Sequence, residues 1–110
     1  YDTSFSASNT TSDVQDFVKA YTDEYGERPP LCALGYDAAA IMAAAEAAEK
    51  SGESAGSDAY KQAVIDGIAA AKVSGVTGDI SYSGTGDPVK STLIITFKDG
   101  KEEIFDTIDA

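Results

Sequence analysis

The feature that most constrains the fold is the stretch between residues 27 and 49, where three signals follow one another closely. Two consecutive prolines come first, and proline disfavours a helical conformation in the residue before it. Residues 31–34 form a short apolar run, which predicts a buried strand. Gly35 breaks that run, and Tyr36 and Asp37 then open an alanine-rich helix. A strand that leads directly into a helix is the repeating unit of a doubly wound α/β sheet.

Tyr36 and Asp37 are the candidate ligand-binding residues. Ligands of open α/β sheets bind just outside the carboxyl ends of the strands, and both residues follow the end of the predicted strand. Each also has a simpler explanation. An aspartate in the first turn of a helix is favourable in the field of the helix dipole, and Tyr36 could be a half-buried aromatic residue.

The chain predicts three helices followed by strands. The first begins at Ser12, with a capping box completed by Gln15, and ends at Gly26 as a glycine C-terminal cap. The second covers about residues 36–50, and the third is capped by Ser57.

From Gly75 onwards the apolar period changes from 3.6 to 2, which indicates strands. Residues 78–82 form one strand and residues 93–97 another. The Asp-Gly pair at residues 99–100 predicts a tight hairpin turn, and residues 103–108 pair back on the preceding strand. We therefore divide the chain into an entry segment (1–11), a helical part (12–74) and a strand and hairpin part (75–110).

Composition excludes several classes of partner. The chain has 110 residues, 8 Lys and Arg, 19 Asp and Glu, and a net charge of −11, which disfavours nucleic acid and anionic membranes. No apolar run approaches the ~20 residues that span a bilayer. The chain begins with Tyr1 and shows no signal-peptide pattern, so we expect a processed product or a fragment.

The sequence predicts no catalytic residue, metal or cofactor. Cys32 is the single cysteine and the chain has no histidine, so the cysteine is expected to be a core residue. The Gly-rich pattern at Gly84 and Gly86 lacks the Lys-Ser/Thr that completes a phosphate loop, and it favours a structural turn. Asp79 and Asp87 lack the spacing of a calcium loop. Most other carboxylates are expected at the surface.

Several short motifs, taken together, resemble a known family. In chain order they lie at residues 17–21 (Phe-Val-Lys-Ala-Tyr), 25–26 (Tyr-Gly), 33–38 (Ala-Leu-Gly-Tyr-Asp-Ala), 75–82 (Gly-Val-Thr-Gly-Asp-Ile-Ser-Tyr), 86–91 (Gly-Asp-Pro-Val-Lys-Ser) and 98–101 (Lys-Asp-Gly-Lys). Their order and spacing resemble the later part of the type I periplasmic binding proteins. The most similar group is the substrate-binding proteins of ABC transporters for leucine, isoleucine and valine.

This resemblance implies a fold and a function. It covers nearly the whole chain but only about the last third of the family's length. Family members have two doubly wound lobes with the ligand in the cleft between them, so residues 12–74 would belong to the first lobe. Tyr36 would face that cleft, with Asp37 beside it, while the groups that hold a ligand's α-amino and α-carboxylate ends would lie upstream.

The function implied is delivery of an amino acid to a membrane permease, without catalysis. The parent protein would be extracytoplasmic, either secreted or lipid-anchored. Two alternatives stay open: a free-standing α+β module that binds protein through its hairpin edge, and a small carboxylate-dependent hydrolase. Because the strand over residues 31–34 would lack a parallel neighbour, we also expect the chain alone to form a homodimer or a higher oligomer.

Overall fold

The structure is a computed structural model that describes residues 2–27, 32–44, 46 and 49–110. Within these residues lie three α-helices, a short 3₁₀ turn at Glu49–Ser51, and six strands. The helices are α1 (Ser12–Tyr25), α2 (Cys32–Ala44) and α3 (Asp58–Ala69). The order of three helices followed by strands and a hairpin agrees with the sequence prediction, with two differences. A short strand, β1 (Asp2–Thr3), precedes the helices, and residues 32–34, predicted to be part of a strand between the first two helices, belong to α2.

Helix α1 presents an apolar face to the core, with Val14 and Phe17 buried. Its predicted end is confirmed: Gly26 has φ of 80°, and its N–H donates to the Thr22 carbonyl at 2.8 Å. The predicted capping box is wrong. The cap is Thr11, and the Gln15 side-chain amide donates to backbone carbonyls of the preceding segment, at 2.6 Å to that of Asn9.

Helix α2 corrects the prediction for the central stretch. Cys32, Ala33 and Leu34 are helical rather than extended, so helix α2 already includes most of the predicted strand. Leu31 and the two prolines lie outside the described residues. A short apolar run suits a helix as well as a strand, and here six of the 13 helical residues are alanine, the strongest helix former. Gly35 is therefore an interior residue of the helix and not a break before it.

The predicted start of α3 is confirmed. The Ser57 hydroxyl accepts a hydrogen bond from the Tyr60 N–H at 3.1 Å, which satisfies one of the free donors at the helix start. Asp58 lies in the first turn, where its charge is favourable.

The strands of the described residues form two antiparallel sheets of three strands each. All strands except β1 follow the helices in the chain. In the first sheet, β2 (Val73–Gly75), β3 (Gly78–Tyr82) and β4 (Pro88–Val89) pair in that order. Gly75 pairs with Gly78, so Val76 and Thr77 form a two-residue turn between β2 and β3. Strand β3 has the bounds that the sequence predicts, whereas β2 begins before the predicted change of period.

In the second sheet β5 (Thr92–Lys98) lies between β1 and β6 (Lys101–Ile108). The predicted hairpin is confirmed. Asp99 and Gly100 both have positive φ, 51° and 76°, as a two-residue hairpin of type I′ requires. The pairing is irregular between Ile94 and Ile95: Ile94 pairs with Asp106 and Ile95 with Ile104, so Phe105 opposes no residue of β5.

The core joins α1 and α2 to the β2–β3 turn. Its buried members come from distant parts of the chain and are Phe5, Val14, Phe17, Ala33 and Val76. The Cα radius of gyration is 16.7 Å, against about 13 Å for a compact domain of roughly this length. Phe97 and Phe105, on the strands of the hairpin, are largely exposed.

Candidate functional site

A cleft of about 690 Å³ lies between α1 and α2 and is bounded at one end by β2 and its turn. Aromatic rings line its helical walls. The rings of Phe17 and Tyr36 are 4.9 Å apart and tilted by 54°, and those of Tyr21 and Tyr25 are 4.6 Å apart. Such offset contacts hold aromatic side chains in defined orientations. The cleft therefore offers a broad apolar surface.

Tyr36 lies in this cleft with 56% of its surface exposed. Its position in the fold differs from the one expected. It lies in the second turn of α2 rather than at the carboxyl end of a strand, because the helix already includes Cys32. The prediction that its ring contacts a ligand stays a prediction, and its exposure within a cleft is compatible with that role.

Asp37 is only 2% exposed, and its carboxylate is fully engaged within the chain. One oxygen accepts the Val76 N–H at 2.8 Å. The other accepts the Thr77 N–H at 2.8 Å and the Thr77 hydroxyl at 2.5 Å. A first-turn anion does not explain this residue, since α2 already includes Cys32, five residues earlier. Burial of a carboxylate is tolerated here because hydrogen-bond donors meet both of its oxygens.

Gly75 makes the approach of Asp37 possible. A Cβ at this position would lie 2.5 Å from the Asp37 carboxyl carbon and from both of its oxygens. Carbon atoms in contact are normally about 3.5–4.0 Å apart, so no larger residue fits without a shift. In the sequence Gly75 marks only the change of period, because nothing local shows that a side chain from α2 lies against it.

Lys90, directly after β4, completes the cluster. Its ammonium donates to the Thr77 hydroxyl oxygen, which in turn donates to Asp37. Desolvation lowers the pKa of Lys90, and the negative charge of Asp37 opposes that change in part. The cluster of Asp37, Thr77 and Lys90 was not predicted from residue spacing, although all three lie in motifs that carry the family resemblance.

The wall formed by α1 is acidic, and the described residues that line the cleft include no lysine or arginine. Asp13 and Asp16 are exposed at its edge. Cys32 is half-buried against the core and interacts with Tyr21. The pKa of Tyr21 is raised, chiefly by desolvation and also by its contacts with Cys32 and Tyr25. Cys32 was expected to be a core residue; it packs against the core but is only half-buried.

The described part of the chain contains neither a cluster of acidic, cysteine or histidine metal ligands nor a membrane-spanning helix. Residues 2–27, 32–44, 46 and 49–110 contain no group of three or more side chains able to hold a metal ion. None of the helices among them is long and apolar enough to cross a membrane.

The fold is that of a part of the type I periplasmic solute-binding proteins of ABC transporters. Three solved structures illustrate the similarity. A leucine binding protein, LivK, from Thermotoga maritima has a TM-score of 0.72 and 26% identity over 98% of this chain. An ABC transporter substrate-binding protein from Desulfitobacterium hafniense in complex with Leu has a TM-score of 0.72 and 31% identity over 94%. A solute binding protein of an ABC transporter from Rhodopseudomonas palustris BisB5, in complex with 3,4-dihydroxybenzoic acid, has a TM-score of 0.77 and 28% identity over 99%.

The chain spans about 30% of the length of each of these three proteins. No protein-family profile matches the sequence, and no curated protein matches it either. The family resemblance predicted from the motifs is thus confirmed by the fold. The similar structures are solute-binding proteins rather than enzymes.

Proposed function

We propose that this chain is the C-terminal portion of an extracytoplasmic solute-binding protein that delivers a small molecule to an ABC transporter. The ligand would be an amino acid, of the branched-chain type or similar to it. The observation that carries the proposal is the similarity to a Leu-bound substrate-binding protein along almost the whole chain. Residues 12–74 would belong to the first lobe of the parent and residues 75–110 would form its strand and hairpin part.

The proposed mechanism is closure of two lobes around the ligand, followed by docking on a permease, with no catalytic step. The parent would be secreted or anchored by a lipid. Within this chain the cleft between α1 and α2 offers the surface for the ligand, and Tyr36 is the proposed contact because its ring is exposed there. Asp37, with its carboxylate occupied by Val76 and Thr77, would contribute indirectly.

The experiment uses the longer protein that contains this chain, titrated with leucine in a calorimeter. Tyr36→Ala should weaken binding by about 1–3 kcal/mol, as expected for loss of a packed aromatic contact. Tyr36→Phe is the matched control: it keeps the ring that packs on Phe17 and should retain most of the affinity. Unchanged affinity in Tyr36→Ala would remove this residue from the site.

A second candidate function is protein binding through the hairpin edge. Strand β6 lies at the edge of its sheet, and Phe105 on it is 73% exposed. An edge strand with exposed apolar residues can accept a strand from another chain. The intact mass of the native protein separates the two candidates. A free-standing module would have a mass near 11.4 kDa, whereas a solute-binding protein would be about three times larger, given the 30% of its relatives' length that this chain spans.

A further inference from the structure

A series of contacts along the wall of the cleft leads from Asp37 through the β2–β3 turn and α1 back to Tyr36, its neighbour in α2. The Asp37 carboxylate accepts the Val76 N–H, and the Val76 side chain is buried in the same apolar cluster as Phe17. The Phe17 ring contacts the ring of Tyr36, which precedes Asp37 in α2. Tyr36 is therefore held through its ring on one side and through the backbone of α2 on the other.

Because Tyr36 and Asp37 are neighbours in one helix, the orientation of one side chain depends on that of the other. Neighbouring helical residues point about 100° apart, so fixing the direction of the Asp37 side chain also fixes the direction of Tyr36. Both Asp37 oxygens are held, one by Val76 and one by Thr77, which resists rotation of α2 as well as sliding. A single hydrogen bond would leave the helix free to turn about it.

Gly75 and Thr77 make room and hydrogen bonds for the Asp37 carboxylate. Gly75 leaves room for the carboxylate, which a Cβ would meet at 2.5 Å. Thr77 is itself only 5% exposed, and its hydroxyl donates to Asp37 while accepting from Lys90. The carboxylate is thus surrounded by protein donors and is not directed at the solvent of the cleft.

We propose that Asp37 is a positioning residue, which ties α2 to the β2–β3 turn and so holds Tyr36 at the wall of the cleft. This proposal rests on the proposed function, in which Tyr36 contacts the ligand. Asp37 acts on the ligand only through Tyr36 and does not touch it.

The test uses NMR on the 110-residue chain without any ligand, comparing Asp37→Asn with the original sequence. Asparagine keeps the size of the side chain but loses the charge and one acceptor. The Val76 or Thr77 amide hydrogen that then faces the asparagine NH2 group should exchange about 10- to 100-fold faster, the range expected for losing a hydrogen bond to a charged group. The other should accelerate less, because it keeps a neutral acceptor. Ring-to-ring cross-peaks between Tyr36 and Phe17 should weaken.

Two comparisons distinguish positioning from a general loss of stability. The Tyr21–Tyr25 cross-peaks should persist, because neither ring is tied to Asp37. The charge-matched control Asp109→Asn changes an exposed residue beyond β6 and should leave all of these signals unchanged. Equal acceleration of all amides in Asp37→Asn would mean a purely structural role. Faster exchange at the β2–β3 turn with preserved Tyr36–Phe17 cross-peaks would mean that Asp37 holds the turn but does not position Tyr36. Either result overturns the proposal.

Thr77→Val keeps the test decisive if Asp37→Asn does not fold. It replaces the hydroxyl by a methyl group, so the hydrogen bonds from Thr77 to Asp37 and from Lys90 to Thr77 are lost, while both backbone donors to Asp37 stay in place. We expect a smaller effect, about 3- to 10-fold on the two amides, because both keep their own hydrogen bonds to the carboxylate. The Tyr36–Phe17 cross-peaks should weaken in part. Unchanged cross-peaks would contradict the proposal. Since no ligand is present, failure here is distinct from failure of the proposed function, which the leucine titration of the parent measures separately.

Discussion

Replacing Gly75 by alanine should destabilise the chain, although the same change normally stabilises an extended segment. Replacing a glycine by alanine inside a strand normally raises the free energy of unfolding by about 0.5–1 kcal/mol. Here the new Cβ would lie 2.5 Å from the Asp37 carboxylate, about 1 Å closer than van der Waals contact allows. Either β2 must move, at an overpacking cost of about 1–3 kcal/mol, or the carboxylate must leave a donor, at about 1.5–3 kcal/mol. We expect a net loss of about 1–1.5 kcal/mol once the gain from removing the glycine is subtracted.

Urea unfolding followed by circular dichroism measures this loss as a lower midpoint with an unchanged slope. Gly35→Ala is the matched control. Gly35 lies inside α2, its φ is not positive, and no described atom outside its own helical turn lies within 4 Å of the place a methyl group would take. This change should therefore stabilise the chain by about 1 kcal/mol.

A double-mutant cycle identifies the cause. In an Asp37→Ala background the carboxylate is gone, so Gly75→Ala should be neutral or stabilising by up to about 1 kcal/mol. The two changes should therefore be strongly non-additive. If Gly75→Ala is neutral, or costs the same with and without Asp37, then the close approach of the two residues does not determine the stability of this turn.

Three other expectations can be measured directly. Lys90 should titrate at a lower pH than Lys19, whose pKa is raised by its hydrogen bond and charge interaction with Asp23. Asp37→Asn should lower the pKa of Lys90 further, because it removes the charge that opposes desolvation. NMR of the lysine side chains measures both, and a rise in the pKa of Lys90 would contradict this reasoning. The 110-residue chain alone should show no saturable heat with millimolar leucine, isoleucine or valine, since the groups expected to hold the ends of an amino acid lie upstream in the family. In size exclusion with light scattering at micromolar concentration the chain should be a dimer or larger, less so in low salt where a net charge of −11 repels more strongly; a clean monomer of 11.4 kDa would refute this.

The expected self-association would have a different basis in the structure from the one that the sequence suggests. The sequence predicts an unpaired strand over residues 31–34, but Cys32, Ala33 and Leu34 are helical. The exposed apolar residues of the hairpin, Phe97 and Phe105 among them, provide the remaining reason for association.

Features fixed by local chemistry could be predicted from the sequence. The turn at Asp99 and Gly100, the cap at Ser57 and the helix end at Gly26 each depend on residues within four positions of one another. The predicted cap of α1 is wrong by one residue. Threonine and serine are both favoured caps, so residue type alone does not decide between Thr11 and Ser12.

The candidate site was predictable only in part. Tyr36 could be placed near a cleft through the family resemblance, but the reason offered from residue pattern, a strand ending before it, was wrong. The partners of Asp37 are 39 and 40 residues away along the chain. No periodicity connects positions so distant, and the burial of a carboxylate there runs against its usual preference for the surface. Such a contact becomes visible only when α2 and β2 are packed together.

The bond between Asp37 and Val76 also closes a loop of 39 residues without a covalent link. The entropy of closing a flexible loop grows only with the logarithm of its length, by about 0.6 kcal/mol for each doubling. Residues inserted between Gly52 and Ser57, ahead of α3, would therefore weaken this closure very little, even if the loop became twice as long. We expect that connection to vary in length among related chains. Asp37, Gly75 and Thr77 should vary little, because their close contact allows only one arrangement.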